Sequence, residues 1–214
     1  MIAKVHQIFP TVVYQNNLSV DKESILSALR NNNHIPVNYG TGEMEGKILL
    51  HKDPDLEDFF DVIVNEVGEY LDCFHILKSE YLIAVTKSWA STSGNGNFVP
   101  MHHHSCAHLT FIYYVDLESP VDPIWFCVDK NPNECFGDQF KSSWRKNEFN
   151  ANEVYFKVSI GDLFIFPGSL AHFTAPLKGD VGKKRLSIAG DILLLNTKMD
   201  VEQGLMPPNY WKVF

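Results

Sequence analysis

The sequence predicts a mainly β (α+β) fold, an antiparallel double-sheet jelly roll with helices laid on one outer face. Three observations carry this. Apolar residues recur at spacings of three and four only before about residue 75, and from Glu80 onward the period falls to two, with Gly, Pro and Asn turns between short apolar runs. Helices first and strands later, without βαβ alternation, argue against a parallel doubly wound sheet and for a β core with helices on one side. A chain of 214 residues, 45% apolar and 21% charged, has ordinary globular proportions, so residues 1–214 read as one domain.

In chain order, Gln7 to Tyr14 reads as a strand, and Pro10 places it at a sheet edge because proline cannot donate to a ladder. A short helix over about 20–31 has Asp21 or Ser19 as its cap and Ile25, Leu26 and Leu29 on its buried side. The clearest helix, about 53–74, opens on Asp53-Pro54 and carries Leu56, Phe59, Phe60, Ile63, Val67, Tyr70, Leu71 and Phe74 as one stripe, which should pack against a sheet. Its end leaves His75 as a helix-terminal cation or a surface residue. Glu80 to Ser91 reads as a strand with Tyr81, Ile83, Val85, Lys87 and Trp89 on one face. Trp89, Lys87 and Trp125 either line the mouth of the barrel or pack inside it. Gly161-Asp162 is a turn before the apolar strand Leu163 to Pro167, so Asp162 is structural. The polar run 129–152 is long for a compact domain and reads as a lid or as a surface excursion.

The net charge of −8 argues against a general grip on nucleic acid, which needs clustered cations; Lys183-Lys184-Arg185 is too short a cluster. No window reaches the roughly 18 apolar residues of a membrane span, and no basic-then-apolar leader is legible, so a cytoplasmic setting is expected. The four cysteines, Cys73, Cys106, Cys127 and Cys135, lack metal-ligand spacing and read as reduced, structural thiols, Cys106 lying two residues from His104.

The chemistry concentrates at His102-His103-His104. Nine histidines in 214 residues make three in a row a rare cluster, and neutral imidazole is the commonest metal ligand. In an extended segment His102 and His104 point one way and His103 the other, so His103 reads as a packing or hydrogen-bonding residue. His172, after an apolar strand and a Gly-bearing turn, can supply a third ligand and leave open positions on a metal, as in non-haem Fe(II) oxygenases. His108 is a second partner to a ligand or a polar residue at a strand start.

The ordered set of His102-x-His104, Leu109 to Val115, Gly161 to Pro167, His172 and Arg185-Leu186-Ser187-Ile188 resembles the Fe(II)- and 2-oxoglutarate-dependent oxygenases. More closely it resembles the uncharacterised members from marine bacteria and their phages, which open with a Phe-Pro-Thr strand like Phe9-Pro10-Thr11. The likeness runs from about residue 8 to about residue 195. It implies a cupin-like double-stranded β-helix, Fe(II) with 2-oxoglutarate and O2, and decarboxylation of the keto acid to succinate coupled to oxidation of a substrate. If phage-encoded, the protein would act in host cytoplasm.

Residue by residue, the resemblance makes His102 and His172 metal ligands. Arg185 and Ser187 become the clamp for the far carboxylate of 2-oxoglutarate, since a guanidinium offers two parallel hydrogen bonds. Tyr114, sharing a face with Thr110 and Ile112, is a further contact to that carboxylate, and Tyr113 on the opposite face is structural. His104 departs from the family motif, which has Asp or Glu there. Either three imidazoles hold the metal, or His104 does not bind and water takes its place; a missing carboxylate leaves the site one unit more positive, which would weaken or alter function. Two rivals stay open: a three-histidine dioxygenase that needs no keto acid, and a non-catalytic metal-stabilised binding or assembly module. Substrate, whether small molecule or peptide, is not legible, and neither is oligomeric state, a homodimer being compatible.

Overall fold

The computed structural model describes residues 8–32, 48–117, 123–131, 133, 146–147, 149–177, 184–197 and 207–212. Eight strands form two antiparallel sheets. The larger contains β1 (Tyr14–Asn17), β6 (Asp162–Pro167), β3 (Leu109–Leu117), β8 (Lys184–Asn196) and β2 (Tyr81–Gly94) in that spatial order; the smaller contains β5 (Glu153–Phe156), β4 (Ile124–Cys127) and β7 (Ala171–Thr174). Tyr114, Phe164 and Phe166 from the larger sheet pack on Ile124 and Phe126 from the smaller, closing the interior of a jelly roll. The expected architecture is therefore the observed one.

Both helices lie on the outer face of the larger sheet. In α1 (Lys22–Asn31) Asp21 is the cap, its carboxylate accepting from the amides of Glu23 and Ser24, and Ile25, Ala28 and Leu29 are buried. Asp53 caps a 3-10 turn, Pro54–Leu56, from which α2 (Glu57–Asp72) continues. Period-3.6 spacing puts Phe59, Phe60, Ile63, Val67, Tyr70 and Leu71 on one buried stripe, with Phe59 against Tyr113 (5.2 Å between ring centres) and Phe60 against Phe111 (6.3 Å). The stripe stops short of Phe74, which is exposed: the helix ends at Asp72, two residues before it, so the helical period no longer sets where Phe74 points.

Two further expectations are corrected. The N-terminal strand is not Gln7 to Tyr14 but the four-residue edge strand β1, Tyr14–Asn17; Phe9 has φ 58°, outside the β region, and Pro10 has no N–H, so no ladder starts there. Residue 7 lies outside the described residues. The second correction concerns β2, whose side chains do not keep one face. Tyr81, Ile83 and Val85 pack toward the helices, but a β-bulge between Val85 and Lys87 inserts Thr86, and from there Lys87, Trp89, Ser91 and Ser93 pair with Asp191, Ala189, Ser187 and Arg185 across β8. One extra residue exchanges the two faces of everything beyond it. The proposed lid, 129–152, includes residues 132, 134–145 and 148, which lie outside the described residues; its base is tied by Asn131 and Asn133 to the carbonyls of Ala151 and Phe149.

The inner face of β8 carries the site, so its packing on the helix side matters. A Cβ on Gly190 would fall 2.5 Å from Phe111 Cε1 and 2.8 Å from the Lys87 carbonyl, so only glycine lets the Phe111 ring cross the middle of this strand. Ile188 and Ile192 flank it, fully buried.

Candidate active site

Sheet register assembles the site. On β8, alternation turns Arg185, Ser187, Ala189 and Asp191 into the barrel. Tyr114 stands opposite Ser187 and Thr110 opposite Asp191 on β3, while Ser93 stands opposite Arg185 and Lys87 opposite Asp191 on β2. A cavity between the sheets is lined by His102, His104, His172, Arg185, Ser187 and Tyr114, among others, so the six candidate metal and carboxylate residues reach one place. Thr110 and Ile112 line it too, and Tyr113 faces the helices, as alternation required.

His172 arrives on β7, which pairs with β4. His102 meets it in an isolated antiparallel bridge: the His102 amide donates to the His172 carbonyl (3.1 Å) and the His172 amide to the His102 carbonyl (2.9 Å), leaving the rings 4.3 Å apart. His104 is held instead by a bond from its amide to the Gly168 carbonyl (2.7 Å). The stretch is thus extended but tied to two different partners, and alternation still sends His103 out to solvent. His108 accepts at Nδ1 from the Leu194 amide, pinning the start of β3 to β8, so it touches no candidate ligand.

Gly168 makes the approach of His104 feasible. A Cβ there would lie 2.4 Å from the Ala107 carbonyl oxygen and 3.0 Å from that of His104, both backbone atoms that cannot swing away. Gly168→Ala is expected to cost about 1–3 kcal/mol of stability and to push the segment 104–107 away from β7. Chemical denaturation and metal titration together check this: stability and metal affinity should fall in the same variant.

The three imidazoles offer ligand atoms that all lie within 4.8 Å of one another, near the span that one ion with bonds of about 2.1 Å can bridge. The donor set fits a metal in a second respect. His102 Nδ1 lies 2.8 Å from the Pro100 carbonyl, His172 Nδ1 lies 3.0 Å from the Leu170 carbonyl, and His104 Nδ1 is hydrogen-bonded to the Asp191 carboxylate. An Nδ1–H donating in each case fixes the tautomer and leaves Nε2 as the lone-pair nitrogen.

Electrostatics favour unprotonated rings at His102 and His172. Burial lowers the pKa of His172 to about 3 against the opposing pull of the Leu170 carbonyl, with His102 and His104 lowering it further. Burial lowers His102 as well. Burial alone would raise the Asp191 carboxyl, but the hydrogen bond with His104 and the Lys87 ammonium, 2.9 Å away, outweigh it and the net shift is downward.

These shifts predict a pH dependence. Between a pH near 6.5, where an unfolded histidine takes up a proton, and about 3, where folded His172 does, the unfolded chain binds more protons, so lowering the pH favours unfolding. The metal-free protein should lose roughly 1 kcal/mol per pH unit from His172 alone on going from pH 6.5 toward 4. His102 and His51, both lowered by burial, act in the same direction. Urea unfolding at pH 7 and pH 5 tests it: His172→Phe should show a shallower pH slope than the wild type, and identical slopes would contradict the assignment.

Deeper in the same cavity, Arg185 is 3% exposed. Its Nη2 donates to Ser93 Oγ (3.1 Å) and Thr174 Oγ1 (2.9 Å), while Nη1 has no hydrogen-bond partner and no carboxylate pairs with the guanidinium among the described residues. Thr110 Oγ1 is likewise buried and without a partner. Ser93, Thr174 and Asp191 are the site residues that sequence reasoning missed; each is an ordinary strand residue locally, and only the register across β2, β3, β7 and β8 reveals it.

Residues 87–191 match the model of a family described as "Putative 2OG-Fe(II) oxygenase". No curated protein matches the sequence. Among solved structures, the chain is similar to a Pseudomonas putida prolyl-4-hydroxylase (10% identity, 88% of each chain covered, TM-score 0.51). It is also similar to two non-heme alpha ketoglutarate dependent proteins of nogalamycin biosynthesis. One is the carbocyclase SnoK (12% identity, 85% of this chain and 79% of that one, TM-score 0.52); the other is the epimerase SnoN (14%, 92% and 90%, TM-score 0.55). At these identities the likeness speaks for the fold. Family match and fold together support an oxidoreductase, and no helix among the described residues is long and apolar enough to cross a membrane. The segment that holds all the candidate metal and carboxylate residues, 87–191, is matched to the 2OG-Fe(II) oxygenases, whose cofactors are Fe(II), 2-oxoglutarate and O2, and the three imidazoles could bind the iron.

Proposed function

We propose that the protein is a hydroxylase-type oxygenase in which His102, His104 and His172 hold Fe(II), and Arg185, Ser187 and Tyr114 anchor the far carboxylate of 2-oxoglutarate. The observation that carries this reading is a buried guanidinium with a free Nη1 and, among the described residues, no paired carboxylate, in one cavity with three convergent imidazoles. An unpaired buried cation costs several kcal/mol, so such a group is expected to meet an anion there. A dicarboxylate whose other end is a metal chelator satisfies both halves of the cavity.

When bound, the iron supplies oxidation of a substrate C–H bond by O2, with 2-oxoglutarate decarboxylated to succinate. The chain's residues orient and desolvate. Ser93 and Thr174 fix the guanidinium plane, Ser187 stands beside Tyr114 across the β3–β8 ladder, and Trp89, Ile112 and Ile124 exclude water between the imidazoles and Arg185. The substrate is a small molecule or a peptide side chain admitted from the imidazole end. A cytoplasmic setting and an affinity with the marine bacterial and phage oxygenases, on Phe9-Pro10-Thr11, complete the reading.

Anaerobic addition of Fe(II) and then 2-oxoglutarate is the test. A weak visible charge-transfer band that appears only with both is expected. Bound iron without the band would favour a three-histidine dioxygenase independent of the keto acid, or a purely structural metal.

A further inference from the structure

We infer that Asp191 is a positioning residue that returns to the metal site, through the His104 ring, the negative charge that a histidine at position 104 removes from the ligand set. This inference rests on the metal-site reading above.

The three candidate ligands are not equivalent. His102 and His172 direct Nδ1 at neutral backbone carbonyls, those of Pro100 and Leu170. His104 alone directs Nδ1 at a carboxylate, and the residue that carries it is buried, 7% exposed. The asymmetry falls at the one position where the family motif has Asp or Glu. A carboxylate accepting from Nδ1–H pulls the imidazole toward imidazolate character, so Nε2 becomes a stronger and more negative donor; a backbone carbonyl does this far less.

Asp191 is itself held in place. Oδ1 takes His104 and Oδ2 takes Lys87 Nζ at 2.9 Å. Lys87 stands across from Asp191 only because of the bulge at Thr86, and Thr86 Oγ1 donates to the Asp191 carbonyl (3.3 Å). Lys87 Nζ also sits 4.9 Å above the Trp89 ring, and Trp89 stacks on His104 at 5.8 Å with 17° between planes. The His104 ring is therefore fixed in its plane by Trp89 and about its axis by Asp191. The Lys87 ammonium, 43% exposed, is hydrated and its field is screened, whereas the Asp191 carboxylate acts on His104 across a dry contact.

The test uses the full-length protein with Co(II), whose visible d–d bands report the ligand field directly. Asp191→Asn keeps an acceptor for Nδ1–H and removes the charge; it is expected to lower Co(II) affinity about 10- to 100-fold and to shift the bands. In a His104→Asp background, where the carboxylate sits in the ligand set itself, the same Asn substitution should cost no Co(II) affinity. Wild-type affinity and bands in Asp191→Asn would overturn the inference, and so would an equal loss in both backgrounds, which would mark a merely structural role.

A second readout needs no substitution. In the Zn(II)-loaded wild type the Nδ1 proton of His104 should resonate well downfield of those of His102 and His172; coincident resonances would overturn the inference. Failure of the wild type to bind Co(II) at all would instead refute the metal-site reading, and this inference with it.

Discussion

His172→Ala is expected to lower metal affinity by well over 100-fold while the barrel still folds. Losing a residue that only supports a ligand costs 10- to 100-fold, and losing the ligand itself costs more. His172 is the most constrained of the three: its ring is buried, packs edge-on against Phe166 at 4.8 Å and on His102 at 4.3 Å, and is anchored at both ends of its peptide by the bridge to His102. Among the described residues no neighbouring His, Cys, Asp or Glu completes the set when it is removed: His103 is exposed and Asp191 is engaged by His104 and Lys87. Backbone pairing of β7 with β4 does not depend on the side chain, so circular dichroism of the metal-free variant should match the wild type. Calorimetric titration of metal checks the prediction; affinity within a few-fold of wild type would remove His172 from the ligand set.

Arg185→Met is expected to weaken 2-oxoglutarate binding by about 2–5 kcal/mol, roughly 30-fold to several-thousand-fold, with metal affinity nearly unchanged. Methionine fills similar space but offers neither charge nor donors, so the far carboxylate would be buried against Ser187 and Tyr114 without a counter-charge. The metal-free fold should not suffer equally, because among the described residues the guanidinium has no paired carboxylate to lose, and replacing such a buried cation relieves desolvation. Thr174 keeps the Val99 amide as a partner. Titration of 2-oxoglutarate into the Mn(II)-loaded protein separates the two affinities. Parallel losses of metal and keto acid would mean that Arg185 supports the barrel instead of the ligand.

The legible part of the site was the part encoded by local spacing. Alternation along an extended segment separated His102 and His104 from His103, and separated Thr110, Ile112 and Tyr114 from Tyr113; the 3.6-residue period drew the face of α2 up to Leu71. What stayed hidden depended on how strands line up. The bulge at Thr86 has no marker in the sequence, yet it moves Lys87 and Trp89 off the helix side, Trp89 into the cavity wall and Lys87 against Asp191. Asp191 sits in the apolar run Ile188 to Leu195, where only the facing positions of Lys87 and Thr110 show that it points inward at His104. Ser93 and Thr174 are unremarkable hydroxyls until the Arg185 guanidinium is seen between them. The fold class was readable because it follows from the order and period of elements, whereas the first strand is read too early in the chain, sharing only Tyr14 with β1, because the apolar run Ile8 to Tyr14 looks the same whether or not Phe9 and Pro10 can join a ladder.

The central claim is that one cavity receives a metal at one end and a dicarboxylate at the other. A crystal structure grown without oxygen in the presence of Mn(II) and 2-oxoglutarate tests it most directly. The account predicts a metal bound by Nε2 of His102, His104 and His172, chelated by the keto acid, with the far carboxylate on the free Nη1 of Arg185 and on Ser187. A metal bound elsewhere, or a cavity that takes the metal while Arg185 keeps no contact with the diacid, would contradict it.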